Sequence, residues 1–113
     1  MNLNSFETVF FIGIGGIGMS ALALYFHNCQ KNVAGYDKTP SHNTASLQSK
    51  GIKVIFESDI DLVEPKFLDP ATTLIVTTPA VPKSNAILNF FKINDFKVIK
   101  RAEVLGLITN NTK

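Results

Sequence analysis

The sequence lacks the features that mark several classes of protein. Its single cysteine, Cys29, cannot form an internal disulfide, so nothing in the chain indicates an oxidising compartment. No apolar run approaches the roughly 18 residues of a membrane-spanning helix. The amino terminus also lacks the basic start and apolar stretch of a signal peptide. We therefore expect a cytoplasmic protein that does not enter a membrane.

The chain also lacks a large excess of positive or negative charge. Eleven Lys and Arg oppose nine Asp and Glu, and the basic residues are scattered along the chain. This balance does not indicate nucleic-acid binding. A hydrophobic content of 45% with 18% charged residues is typical of a globular chain, and 113 residues are enough for one core. We predict one domain over residues 1–108, with the polar residues 109–113 as the start of a linker.

Metal-binding and hydrolytic motifs are missing as well. Neither His27 nor His42 has a cysteine or carboxylate at ligand spacing, so we predict no metal site. The chain contains no nucleophile elbow and no G-x-x-x-x-G-K-[ST] pattern for ATP. The sequence therefore predicts a domain that binds a ligand without catalytic residues or a cofactor of its own.

Short apolar runs alternate with helical patterns along the chain. The runs predict five strands, at Thr8–Ile12, Asn32–Tyr36, Lys53–Phe56, Thr73–Thr77 and Lys97–Ile99. Apolar spacing and caps predict helices at Ile17–Gln30, Thr44–Lys50 before Gly51, a weak Ile60–Glu64, Asn85–Ile93 with Ser84 as N-cap, and Ala102–Ile108. This alternation predicts an α/β fold with a five-stranded parallel sheet flanked by helices on both faces.

Four of the seven glycines fall within six residues. Gly13-Ile-Gly15-Gly-Ile-Gly18 follows the first predicted strand and opens the first helix, which is the context of the phosphate-binding pattern G-x-G-x-x-G. In that pattern Gly13 permits a tight turn, Gly15 leaves room for a phosphate, and Gly18 lets the helix pack closely on the strand. Gly16 widens the bare surface. Exposed amides at the positive end of the helix favour a diphosphate, and Ser20 adds a hydroxyl donor.

Polar residues after other strands extend the predicted site. Asp37 ends the second strand nineteen residues after Gly18, where a carboxylate commonly binds a ribose hydroxyl; the alternative is a capping or solvated loop residue. The segment 77–82, TTPAVP, follows the fourth strand and should face the glycine turn. A rigid proline turn without a ligand is an equally good interpretation of it. Arg101 and Glu103 predict an ion pair or a helix-start arrangement.

Four stretches together resemble the amino-terminal domain of the Mur ligases. They are FIGIGGIGMSALA, VAGYDKTPSHNTASLQSKGIKV, LIVTTPAVPKSNAIL and VIKRAEVLGLI, and the similarity extends from Val9 to Ile108. The resemblance implies a Rossmann-like three-layer domain that holds the UDP part of UDP-N-acetylmuramic acid. It is strongest to the family member that joins L-alanine to this nucleotide sugar in peptidoglycan biosynthesis.

The resemblance also implies a set of substrate-binding residues. At the diphosphate it places Gly13, Gly15, Gly16, Ile17, Gly18, Met19 and Ser20; at the ribose or uracil, Asp37 and Lys38; and along the nucleotide, Thr77, Thr78, Pro79, Ala80 and Asn85. In the family, ATP converts the lactyl carboxylate to an acyl phosphate, which the amine of alanine attacks. ATP and Mg²⁺ belong to a central domain, and a carboxyl-terminal domain completes the enzyme. We therefore expect this domain to be inactive alone.

Several positions depart from the family pattern. Phe56-Glu57 stands where a Gly-His pair is expected, Gly35-Tyr-Asp replaces Gly-Ser-Asp, and the TTPAVPK segment replaces Ser-Ser-Ala-Ile. These differences leave open the related ligase that recycles murein tripeptide onto the same nucleotide sugar. The glycine pattern and Asp37 also suit an NAD(H)-binding domain of a dehydrogenase or redox sensor. A ligand-free interaction module is a third alternative, in which the glycine loop would have no purpose.

Overall fold

The computed structural model describes residues 2–111, which form one five-stranded sheet and four α-helices. The strands are β1 (Thr8–Ile12), β2 (Asn32–Tyr36), β3 (Lys53–Ile55), β4 (Thr73–Thr77) and β5 (Lys97–Lys100). The helices are α1 (Met19–Asn28), α2 (His42–Ser49), α3 (Ala86–Ile93) and α4 (Arg101–Asn111). Elements of the two kinds alternate along the chain, as the sequence predicts.

All strand pairs in the sheet are parallel, in the order β3-β2-β1-β4-β5. Thr8 of β1 is therefore in register with Asn32 of β2 on one side and with Thr73 of β4 on the other. After β3 the chain crosses to the far side of β1, so the direction of winding reverses between β1 and β4. The predicted parallel α/β sheet is confirmed.

The two faces of the sheet carry separate apolar clusters. Side chains alternate along β1, so Val9 and Phe11 face α1, α2 and α4, whereas Phe10 and Ile12 face α3. All five residues of β1 are buried because it is a central strand with both faces covered. On the α3 side, the ring of Phe10 lies 5.8 Å from that of Phe67 and 5.6 Å from that of Phe91, measured between centroids.

Two helices start at residues that differ from the prediction, because each is capped by a side chain that the sequence analysis did not assign as a cap. In α2, Ser41 is the N-cap: its Oγ accepts from the amide of Thr44 at 3.2 Å, and Thr44 Oγ1 accepts from the amide of Ser41 at 2.8 Å. In α3 the N-cap is Asn85, whose Oδ1 accepts from the amide of Leu88 at 3.0 Å. The prediction of Ser84 as the cap is wrong.

Other boundaries also differ from those predicted. Helix α1 is shorter than predicted because Gly18 and Gln30, on either side of it, have φ angles of +80° and +69°. The helix predicted at Ile60–Glu64 is replaced by single 3-10 turns at Ile60–Leu62 and Pro65–Phe67. Helix α4 continues through residues 109–111, which the sequence assigned to a linker. Residues 112 and 113 lie outside the described residues. Gly51, at φ +89°, follows α2 as predicted.

Candidate functional site

A cleft of about 640 Å³ opens at the carboxyl ends of β1, β2 and β4. It forms there because α1 and α3, which follow the adjacent strands β1 and β4, pack on opposite faces of the sheet and leave a crevice between them. Its lining residues are Gly13, Gly16, Tyr36, Asp37, Lys38, Ser58, Thr78, Ala80, Val81, Pro82, Ser84, Asn85 and Ala86.

The glycine turn, residues 13–18, is held in place by the neighbouring strand and helix. The amides of Gly13 and Ile14 both donate to the carbonyl oxygen of Tyr36 at the end of β2, at 2.8 and 3.0 Å. From α2, Nδ2 of Asn43 donates to the carbonyl oxygen of Gly15 at 3.1 Å. The turn is therefore fixed before any ligand arrives, which lowers the entropy lost on binding.

Asp37 ties the glycine turn to the loop after β2. Its Oδ2 accepts from the amide of Gly15 at 2.8 Å, and its Oδ1 accepts from the amide of Thr39 at 3.1 Å. The side chain also lines the cleft. Asp37 therefore has a structural role, because it connects the glycine turn to the loop after β2. A contact between Asp37 and ribose stays a prediction.

The missing side chain of Gly15 serves packing within the domain. A Cβ on Gly15 would lie 2.8 Å from Cγ2 of Thr44 and 2.9 Å from Oδ2 of Asp37. The bare α-carbon therefore faces the start of α2, and its amide is used by Asp37. The expectation that Gly15 leaves room for a phosphate does not agree with this geometry, because side chains of Thr44 and Asp37 already fill the space beside its α-carbon.

Two amides of the glycine turn remain for a ligand. The amides of Gly16 and Met19 donate within the turn, to the carbonyls of Gly13 at 3.0 Å and Gly16 at 3.1 Å. Those of Ile17 and Gly18 donate to no partner among residues 2–111. They lie at the amino-terminal end of α1, where the helix dipole is positive. This part of the turn is therefore suited to an anion.

Half of the fourteen predicted site residues line the cleft: Gly13, Gly16, Asp37, Lys38, Thr78, Ala80 and Asn85. Gly15, Ile17 and Gly18 belong to the turn beside it, Ser20 lies in the first turn of α1, and Pro79 lies in the loop after β4. Met19 is turned away: its side chain is 1% exposed in the core, and its amide is used inside the turn. Met19 therefore offers a ligand neither group.

Thr77 also differs from its predicted place. As the last residue of β4 it is 9% exposed, and alternation puts its side chain on the α3 face with Ile75, in register with Lys100 of β5. It lines a separate groove with Lys92 and Lys100. Its Oγ1 is buried and has no hydrogen-bond partner among the described residues. Thr78, the next residue, is the one that reaches the cleft.

The sequence interpretation missed four lining residues, Tyr36, Ser58, Ser84 and Ala86, whereas Val81 and Pro82 belong to the segment 77–82 that it placed at the site. Tyr36 could have been found from strand alternation, since Ala34 and Tyr36 both belong to the cluster on the α3 face. Val81 contacts the glycine turn, because a Cβ on Gly13 would lie 3.1 Å from Val81 Cγ2 and equally from Thr78 Cγ2. The loop after β4 therefore faces the glycine turn, as predicted. Ser58 follows β3 in a segment with no motif that indicates a site.

The start of α4 also reaches the glycine turn. A Cβ on Gly18 would lie 2.9 Å from Nη1 and 3.2 Å from Cζ of Arg101. Glu103 Oε1 accepts from the amide of Lys100 at 3.1 Å, so Glu103 forms the predicted helix-start arrangement. It does not pair with Arg101. The atoms that lie closest to the bare α-carbon of Gly18 are therefore those of Arg101, whereas the glycine pattern predicts close packing of the helix on the strand. The φ angle of +80° is what favours a glycine at this position.

Other kinds of site find no support in the part of the chain that the structure describes. Within residues 2–111 no group of three or more His, Cys, Asp or Glu side chains could hold a metal ion. None of the described helices is long and apolar enough to span a membrane. Cys29 is exposed and unpaired by any disulfide.

The parallel sheet, its change of winding direction beside β1 and the anchored glycine turn together define a Rossmann-like α/β domain. Within that class the match is specific. Residues 8–113 match the family described as Mur ligase family, catalytic domain. The chain belongs to the Mur ligase family.

The chain is similar to several proteins named UDP-N-acetylmuramate–L-alanine ligase. It is 56% identical to that of Flavobacterium psychrophilum over 112 residues, which is 99% of this chain and 25% of the relative. It is 54% identical to that of Porphyromonas gingivalis over 103 residues, 91% of this chain and 23% of the relative. The crystal structure of the Thermotoga maritima ligase matches with a TM-score of 0.81 at 26% identity, covering 94% of this chain and 24% of that one. The chain thus spans about a quarter of the curated relatives it matches.

Proposed function

We propose that this domain binds the UDP part of UDP-N-acetylmuramic acid and that it belongs to an ATP-dependent ligase, which joins L-alanine to this nucleotide sugar in peptidoglycan biosynthesis. The observation that carries the proposal is the pair of unused amides, those of Ile17 and Gly18, at the start of α1 beside a cleft of about 640 Å³. Preformed amides at a helix start bind phosphate oxygens without reorganisation. The names of the relatives supply the substrate.

The cleft has separate regions for the parts of a nucleotide. The glycine turn offers hydrogen-bond donors for the diphosphate. The carboxyl end of β2 and the loop after β4 offer a mainly apolar surface with polar groups beside it. Tyr36, Val81 and Pro82 supply apolar surface, and Lys38 and Thr78 supply polar groups. Such a combination suits uridine, because its uracil ring is flat and carries hydrogen-bonding groups along its edge.

The remaining reaction components belong to other parts of the proposed enzyme. The chain contains no G-x-x-x-x-G-K-[ST] pattern, and residues 2–111 contain no metal-binding group. We infer that ATP and Mg²⁺ bind in the central domain of a longer, cytoplasmic parent, and that a carboxyl-terminal domain contributes to the binding of ATP and the amino acid. ATP supplies the activation of the lactyl carboxylate. The role of this domain is then to hold the nucleotide so that the carboxylate reaches the centre of reaction.

The test is a ligand titration in which the amide chemical shifts of the domain are monitored by NMR. UDP-N-acetylmuramic acid and UDP should shift the amides of Ile17 and Gly18 and those of residues at the end of β2, whereas NADH should not. An NADH response without a UDP response would instead support a nicotinamide-binding domain and overturn the proposal. Binding should be weak in this chain alone, because contacts from the other domains are lacking.

A pair of variants at Gly16 tests the charge of the ligand. Gly16 lines the cleft, and a Cβ there would have Gly13 O as its nearest neighbour at 3.2 Å. Gly16→Asp and Gly16→Asn have the same shape and differ by one negative charge, which repels a diphosphate. We expect Gly16→Asp to bind UDP at least tenfold more weakly than Gly16→Asn, with equal binding of uridine. Equal UDP affinities would place the phosphates elsewhere.

A further inference from the structure

Two helix amino termini and one guanidinium meet beside the glycine turn. Gly18 is the N-cap of α1, and Arg101 is the first residue of α4. The guanidinium of Arg101 lies against the bare α-carbon of Gly18, since a Cβ there would be 2.9 Å from Nη1. Each helix start carries about half a positive charge. Three positive groups therefore share one small region.

The start of α4 has the carboxylate of Glu103 in its first turn, whereas the guanidinium of Arg101 and the start of α1 have no counterion among the described residues. The structure contains no ion pair between Arg101 and a carboxylate of residues 2–109. The nearest acidic residue in sequence, Glu103, uses Oε1 to accept from the amide of Lys100. A cation beside the positive end of a helix is unfavourable on its own, and an anion between them adds two attractions that outweigh this repulsion.

We propose that Arg101 binds the same phosphoryl group as the amides of Ile17 and Gly18, and so neutralises the diphosphate. This inference rests on the proposed function of the cleft. A guanidinium presents two parallel N–H groups that match two oxygens of one phosphate, which a lysine ammonium cannot do. The main-chain amides then fix the position of the phosphate, and Arg101 supplies the opposite full charge.

The same geometry explains the glycine at position 18. Any side chain there would occupy the space of Nη1 and Cδ of Arg101, at 2.9 and 3.2 Å, and would move the guanidinium away from the turn. Gly18 also has a φ angle of +80°, which side chains disfavour. Residues separated by 83 positions in sequence thus form one site, because β5 places the start of α4 beside the end of the sheet.

The experiment compares two ligands across four forms of this chain. Uridine and UDP are titrated into the wild type, Arg101→Gln, Arg101→Lys and Lys53→Gln, with affinities read from amide shifts. Lys53 is the matched control: it is exposed, loses the same charge, and begins β3 at the edge of the sheet opposite the cleft. We expect Arg101→Gln to weaken UDP at least tenfold and uridine less than twofold, and Lys53→Gln to change neither. Arg101→Lys should recover part of the loss.

A second measurement needs no variant, in case Arg101→Gln does not fold. The Nε–H and Nη–H resonances of Arg101 in the wild type should shift on addition of UDP and stay unchanged on addition of uridine. Wild-type binding of UDP without such a shift, or an Arg101→Gln protein that binds UDP normally, overturns the inference and leaves the proposed function standing. A wild type that does not respond to UDP overturns both.

Discussion

The carboxylate of Asp37 accepts a hydrogen bond at 2.8 Å from the amide of Gly15, and this bond joins the glycine turn to the loop after β2. A second bond, to the amide of Thr39, shapes that loop itself. The residue that sequence patterns assign to a ribose therefore supports the glycine turn. Under the proposed function, binding and stability are coupled at this position.

Removal of the Asp37 side chain should destabilise the domain. Asp37→Ala loses a charged hydrogen bond across the turn as well as the local bond to Thr39, and hydrogen bonds to charged groups contribute about 1.5–3 kcal/mol. Asp59→Ala is the control, because Asp59 Oδ1 accepts only the local bond from the amide of Asp61. In urea unfolding we expect the free energy of unfolding to fall by about 2 kcal/mol more in Asp37→Ala than in Asp59→Ala. Equal losses would mean that the bond to Gly15 contributes nothing.

Addition of a methyl group at Gly15 should be costly. Gly15→Ala places a Cβ at 2.8 Å from Thr44 Cγ2, and overpacking of this kind costs about 1–3 kcal/mol. The double variant with Thr44→Ser, which keeps the capping hydroxyl and removes the methyl group, should recover part of the loss. Gly106→Ala is the control: it lies in α4 with open space around it and should gain about 0.5–1 kcal/mol. A Gly15→Ala protein as stable as the wild type would contradict the geometry.

Two threonines of β4 should respond in opposite ways to the same substitution. Thr77 Oγ1 is buried without a partner, so Thr77→Val removes an unsatisfied hydroxyl and should stabilise the domain by about 1 kcal/mol. Thr73 Oγ1 is hydrogen-bonded to Thr8 Oγ1, so Thr73→Val should destabilise it by about the same amount. Thermal unfolding of the two variants measures both signs. Loss of stability in Thr77→Val would show that its hydroxyl has a partner in solution.

The cap of α3 can be tested by a neighbouring pair of variants. Asn85→Ala removes the oxygen that accepts from the amide of Leu88 and should cost about 1 kcal/mol of unfolding free energy. Ser84→Ala should change it by less than about 0.5 kcal/mol, since exposed positions without such a role tolerate substitution. Asn85→Asp keeps an acceptor and should restore the cap. The reverse ranking of Asn85 and Ser84 would return the cap to the residue that the sequence predicts.

Strand positions could be predicted from the sequence because their cause is local. The bounds of β1, β2 and β4 agree with the prediction: each is a short apolar run that must be buried on both faces, and each is followed within two residues by a residue that favours a turn. Helix starts were less predictable. The cap of α2 uses threonine where the capping-box pattern expects Glu or Gln, and Ser84 and Asn85 are adjacent residues that are both suitable as caps.

The contacts that build the site could not be predicted, because they join residues far apart in sequence. Gly15 and Asp37 are 22 positions apart, and their bond depends on how the loop after β2 folds back. The approach of Arg101 to Gly18 requires β5 to lie beside β4 and α4 to begin directly after it. Glycine spacing gives the position of the turn. The identity of the groups that fill the space beside each glycine depends on tertiary structure.

The central place of β1 has a consequence for how the chain reaches its native state. Thr8 pairs with Asn32 after 24 residues but with Thr73 only after 65, so one half of the sheet closes a short loop and the other a long one. During synthesis β1 and β2 can associate early, while the opposite edge of β1 waits for β4. Until then this edge is unpaired and Phe10 lacks the cover that Phe91 of α3 gives it in the folded domain. An unpaired strand edge and an exposed aromatic side chain both favour aggregation of the nascent polypeptide.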